Sequence, residues 1–135
     1  MKKVLCIIML LCIGVAVVGC GQKQSEIQNV PIKQENIDNA NLFVDLLEQK
    51  DFGSAAALFD EEMSKLMPAS KLQQTWEDLN KQMGDFEKKL EIKTEIQKEY
   101  EIAHVISQFK KVKLDIKVVF NQAGKISGLW FQPAK

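Results

Sequence analysis

Val112-Lys113-Leu114-Asp115-Ile116-Lys117-Val118-Val119-Phe120 alternates apolar and polar residues almost without a break. Successive side chains of a strand point to opposite faces, so a period of two marks a strand with one dry face and one wet face. Val112, Leu114, Ile116, Val118 and Phe120 take the dry face here, and Lys111, Lys113, Asp115 and Lys117 the wet one. Downstream, Asn121-Gln122-Ala123-Gly124-Lys125 has the chemistry of a hairpin turn, and residues 126–131 make a last strand. Upstream, residues 100–109 are apolar on both faces: Tyr100, Ile102 and Ile106 on one, Ala103, Val105 and Phe109 on the other. A strand of that kind belongs in the interior of a sheet. Phe86, Leu90, Ile92 and Ile96, with Glu87, Lys89, Glu91, Lys93 and Glu95 between them, make a fourth, half-buried strand.

N-terminal to Phe86 the apolar period lengthens to three or four, the helical spacing. Ala40, Phe43, Val44 and Leu47 predict a helix over residues 36–50. A second opens at Asp51, a good N-cap, and runs through Phe52, Ala55, Ala56 and Phe59, with a continuation after a break through Met63 and Leu66. Pro68 stops it and suits the start of a third helix carrying Leu72, Trp76, Leu79 and Met83, which Gly84 ends. Helices followed by an antiparallel sheet make an α+β layer arrangement.

The N-terminus is of another kind. Lys2 and Lys3 precede an uncharged apolar run, Val4 to Val18, of 15 residues. That is short of the roughly 20 residues a membrane-spanning helix needs, and it has the layout of a secretory signal. Val17-Val18-Gly19-Cys20 resembles the lipobox of bacterial lipoproteins. The resemblance implies a diacylglyceryl group on the Cys20 sulfur and cleavage of the bond before it. Two acyl chains anchor stably where one does not. The expected organisation is therefore a signal peptide over residues 1–19, the lipidated cysteine and a flexible tether over 20–35, and one α+β domain over 36–135, held at the extracytoplasmic face of the cell membrane. Fifteen tether residues reach about 50 Å fully extended, or roughly 20–25 Å as a coil.

Composition narrows the function classes. Cys6 and Cys12 fall in the signal and Cys20 is the lipidation site, so the domain itself has no cysteine for a disulfide or a zinc–thiolate centre. All 18 basic residues are lysine; 16 of them lie beyond residue 19, together with all 18 acids. A slightly acidic domain and tether without arginine do not fit a nucleic-acid binder. A single histidine, His104, excludes chemistry built on histidine pairs.

Leu72-Gln-Gln-Thr-Trp76-Glu-Asp-Leu79, followed by Gly84-Asp-Phe86, resembles the helix-to-strand junction of an uncharacterised family, domain of unknown function 3887. Val119-Phe120-Asn-Gln-Ala-Gly124-Lys125-Ile126-Ser-Gly128-Leu129-Trp130-Phe131-Gln-Pro133 resembles it too, and the likeness covers most of residues 37–133. It implies a cone similar to the nuclear transport factor 2-like, or cystatin-like, fold, with N-terminal helices packed on a curved four-stranded antiparallel sheet. Members occur in exported proteins, sometimes ahead of an α/β-hydrolase domain; this chain stops at Lys135, so no hydrolase is expected here. The shared motifs contain no catalytic signature.

A cone of this kind can hold a small apolar ligand between sheet and helices. Trp76, Tyr100, His104, Phe120 and Trp130 are the candidates for its lining, against the plainer reading that these aromatics fill the core. His104 shares a strand face with Tyr100, Ile102 and Ile106. It reads either as a hydrogen-bonded structural residue or as the acid–base centre of a small isomerase-like enzyme with Tyr100. No carboxylate is expected inside the strand faces, since Asp85 and Asp115 fall at strand ends or on the polar side. Asp60-Glu61-Glu62 reads as a solvated helix start, and Lys111, Lys113 and Lys117 as a solvated row or a contact for anionic polymer. Ala103, Val105, Phe109, Val119, Leu129 and Phe131 point away from the main core face if the strand phases hold. Val105, Phe109, Leu129 and Phe131 would then form an exposed apolar patch for a second copy or an envelope protein, unless a bulge turns them inward. The expected function is a non-catalytic ligand-binding or protein-interaction module without cofactor or metal.

Overall fold

The computed structural model describes residues 29–135. The expected signal peptide, Cys20 and the tether up to residue 28 lie outside the described residues. Four helices, α1 (Gln34–Glu48), α2 (Phe52–Ala56), α3 (Glu61–Leu66) and α4 (Ala69–Met83), precede four strands, β1 (Phe86–Gln97), β2 (Tyr100–Phe109), β3 (Lys113–Phe120) and β4 (Ile126–Pro133). The strands pair antiparallel in the order β1-β2-β3-β4. The α+β arrangement is the one the change of period implies, with one helix more. The Met63/Leu66 segment is a helix of its own because Asp60 caps it, accepting the Met63 N–H at 2.8 Å. Among the described residues no helix is long and apolar enough to cross a membrane.

Several helix ends have a visible cause. Asp51 caps α2 through the Ser54 hydroxyl (2.7 Å) and backbone N–H (3.1 Å). Those two donors hold its carboxyl below the ordinary range. Gly84 ends α4 at φ +80, and an added Cβ there would lie 2.6 Å from Lys110 Cβ. Only glycine fits that turn without strain. The start of α1 is tied to β2: the Asn36 amide and the Lys33 N–H both donate to Glu101 Oε2, at 2.6 and 3.0 Å.

Residues 29–33, the described part of the expected tether, are also tied down. The Val30 N–H donates to the Thr94 carbonyl at 3.0 Å, and the Thr94 hydroxyl returns a bond to the Val30 carbonyl at 2.6 Å. The Asn29 side chain accepts the Thr94 N–H at 3.1 Å. The β1 edge is thereby closed near its C-terminal end, at Thr94, where unpaired edge groups would template aggregation.

The helices lie on the sheet face that carries Ala103, Val105 and Phe109 of β2, and Leu114, Ile116, Val118 and Phe120 of β3. Together with Phe43, Val44, Leu47, Leu72, Trp76 and Ile126 these form the buried core. This corrects the expected interface. Val105 and Phe109 are fully buried, and Leu129 and Phe131 pack against the same core. The physical reason is register. Val105 stands opposite Ile116 and Ile92, and Ile116 opposite Phe131, so the apolar sets of all four strands share this face. Val119 of the expected patch is on the other side, opposite Ile102 and Gly128. Register shifts between Phe86 and Lys88 and between Lys89 and Glu91 break the phase of β1, leaving Leu90 exposed.

Candidate functional site

The centre of the space between sheet and helices is filled by Phe43, Leu47, Phe109 and Phe120, all fully buried. Phe120 is therefore a core residue. So is Trp76, whose ring packs 5.6–6.2 Å from those of Phe86, Phe109 and Phe131. Phe120 lines neither of the two grooves described below, whereas Trp76, though mostly buried, reaches the wall of the one between the helices and the start of β1.

Among the described residues no helix packs across the middle of the sheet face away from the core, yet its centre is dry. Ile102, His104, Ile106 and Asp115 are each at most 6% exposed. The His104 Nδ1 lies 2.8 Å from Asp115 Oδ2, and the Gln132 amide donates to that same oxygen at 2.8 Å. On its other side His104 Nε2 faces Glu95 Oε1 at 3.4 Å, and Lys117 Nζ stands 3.7 Å from that carboxylate. Four strands thus contribute to one network: Glu95 from β1, His104 from β2, Asp115 and Lys117 from β3, Gln132 from β4. Asp115 corrects the expectation of no carboxylate within the strand faces. Its two flanking lysines make it look like part of a wet face. The missed signal was the facing strand, whose Ile102, His104 and Ile106 are too apolar for an exposed surface. Among the described residues Asp115 Oδ1 has no hydrogen-bond partner.

At one end of this face runs a groove of about 640 Å³. Ile102 and Val119 form its floor, Met63 and Leu66 of α3 bound it at the β4 side, and Gln97 and Tyr100 bound it at the β1–β2 turn. Trp130 and Lys117 complete it. Tyr100 and Trp130 are thus brought together, both partly exposed, at 37% and 53%. His104 lies beside them in the sheet but sealed beneath Glu95 and Lys117. Trp130 lies back along its own strand over Gly128. A Cβ on that glycine would come within 2.5 Å of the indole. Lys117 Nζ sits 5.8 Å from the ring centroid. Met63, Leu66 and Gly128 were not visible as site residues beforehand, because they meet Trp130 only through the α3–β4 contact.

A second groove, about 510 Å³, opens between the helices and the start of β1, with Glu48, Lys50, Trp76, Asn80 and Asp85 on its walls. The Lys110 ammonium, hydrogen-bonded to Asp85 at 2.7 Å, holds that carboxyl low and is itself raised by it. The expected lysine row does not form. Lys117 is turned to Glu95, and Lys111 precedes β3 and reaches the Gln82 carbonyl at 3.5 Å.

The family model described as "Protein of unknown function (DUF3887)" matches residues 40–129, which runs from α1 into β4. Esterase EstD of Thermotoga maritima is 30% identical over 95 residues, a stretch that covers 70% of this chain and 23% of that protein. The chain therefore spans less than a quarter of that curated relative's length. No solved structure matches the chain.

Proposed function

Taking as premise that this chain belongs to the DUF3887 family, whose function is unknown, we propose that it is a lipid-anchored, extracytoplasmic binding module without catalytic activity of its own. Its working surface is the groove on the uncovered sheet face. The observation that carries this reading is the pair of exposed aromatics, Trp130 and Tyr100, at an apolar groove floor that no helix among the described residues covers. Exposed aromatics around a concavity are the usual anchors of recognition. The address rests on Val17-Val18-Gly19-Cys20 behind an apolar run too short to be a stable anchor helix.

Against catalysis stands the burial of the one histidine, at 3% exposure between two carboxylates, where no substrate reaches it. Tyr100 lies at the groove instead. The esterase activity named for the Thermotoga maritima relative belongs to a protein of which this chain matches 23%, and it is not carried over.

Two measurements test the two halves. Cells fed radiolabelled palmitate incorporate label into the wild-type chain and none into Cys20→Ala; label in the variant contradicts the anchor. The unlipidated Cys20→Ala chain sediments with envelope particles of its own cells, and adding Trp130→Ala abolishes this at an unchanged melting temperature. Equal sedimentation with and without Trp130 contradicts the binding face.

A further inference from the structure

We propose that the groove is a site for an uncharged carbohydrate chain; this rests on the reading of the uncovered face as the binding surface. Gly128 lets the indole of Trp130 lie down along β4, because any side chain there would lift it. The result is a flat aromatic plate, half exposed, at one side of the floor made by Ile102 and Val119. Tyr100 offers a second ring across that floor. A pyranose ring has a face of C–H groups and a rim of hydroxyls. The C–H face packs on an aromatic face, whose π cloud is negative, and the hydroxyls need polar partners at the edges. Gln97, Ser127 and the Tyr100 hydroxyl stand at those edges. The volume, about 640 Å³, lies within the range of small-ligand sites.

The charges at the groove select against anions. Lys117, the only cation among its described lining residues, faces Glu95 at 3.7 Å and stands over the Trp130 ring. Asp60 and Glu62 add two carboxylates at the rim, the first of them held by the Met63 N–H and the Asn121 amide. An extended peptide is disfavoured for a different reason. It would add to a free strand edge, and at the groove's end of the sheet both edges are taken, β1 at Thr94 by Val30 and β4 at Ile126 by Leu58 and Asp60. A ligand that is flat, hydroxylated and neutral complements what remains.

The full-length chain carrying Trp76→Phe, so that Trp130 is its single tryptophan, is titrated with chitotetraose, cellotetraose and xylotetraose. At least one saturably shifts the indole emission, with a dissociation constant on the order of 10⁻⁴–10⁻³ M, as suits an open groove. The affinity is unchanged between low and high salt, because no ion pair forms. By calorimetry in the otherwise wild-type chain, Trp130→Ala weakens binding about tenfold or more. Gly128→Val, which lifts the plate without removing it, weakens it similarly, and Trp130→Phe retains most of the affinity. No saturable response to any of the three sugars at about 20 mM, or binding indifferent to Trp130→Ala, overturns the proposal. If the sugars fail while Trp130-dependent envelope sedimentation persists, only the carbohydrate assignment falls. If that sedimentation is absent as well, the binding-face reading falls with it.

Discussion

Val105→Glu leaves the domain unfolded at room temperature, whereas Trp130→Glu leaves it folded. Val105 is fully buried and lies opposite Ile116 on one strand and Ile92 on the other, under the helices. Losing its side-chain burial costs about 2 kcal/mol. An unpaired carboxylate in the same place costs several kcal/mol more. The sum is comparable with the roughly 5–15 kcal/mol that holds a whole domain, with no disulfide in residues 29–135 to help. Trp130 is half exposed on the opposite face, and a charge there stays in water. Far-ultraviolet circular dichroism and urea titration separate the two outcomes. A folded Val105→Glu protein of unchanged helix content would mean that the helices cover the other face.

Asp115→Ala lowers stability by about 3–5 kcal/mol, the usual cost of taking one partner from a buried ionic or hydrogen-bonded pair. Asp115 is 2% exposed, and its Oδ2 serves both His104 and Gln132 at 2.8 Å. Without it, the His104 Nδ1 and the Gln132 amide are left without their acceptor in a dry place, and that desolvation is the larger part of the loss. His104→Ala is costly for the matching reason, since it strands Asp115. The double variant is then less damaging than the sum of the two, with a coupling of about 1–3 kcal/mol between these touching residues. Urea midpoints and slopes for the four proteins close the cycle. Single losses below about 1 kcal/mol that simply add would show that the pair is not buried as described.

Much of the fold is legible in the amino-acid order, and the reasons are local. Leu114, Ile116, Val118 and Phe120 alternate so strictly that β3 could be nothing else, and all four are buried. Asp51 and Gly84 mark real helix boundaries because capping and a positive φ depend on one or two residues each. The side of the sheet that the helices cover is not local. β2 is apolar on both faces, so Ala103, Val105 and Phe109 read as well for an interface as for a core. What decides is their register against Ile92, Ile116 and Val118, which no single strand reveals. The same holds for the candidate site. Tyr100 and Trp130 stood out as aromatics, but their meeting with Met63 and Leu66 depends on the placing of α3 beside β4. Trp76 and Phe120, equally conspicuous, pack in the core, and only Trp76 also reaches a groove wall, the one beside the start of β1. Asp115 was hidden by two lysines that share its alternation but not its burial.

The account stands on one spatial claim, that the two tryptophans lie on opposite faces of the sheet and that the described helices cover only the face of Trp76. Trp76, on the sheet-facing side of α4, is 4% exposed, and Trp130, on the far face of β4, is 53% exposed. Acrylamide quenching of the single-tryptophan proteins Trp76→Phe and Trp130→Phe reads this directly. Efficient quenching of Trp130 together with near-complete protection of Trp76 is the expected result. Equal quenching of the two, or a Trp130 better shielded than Trp76, would contradict it.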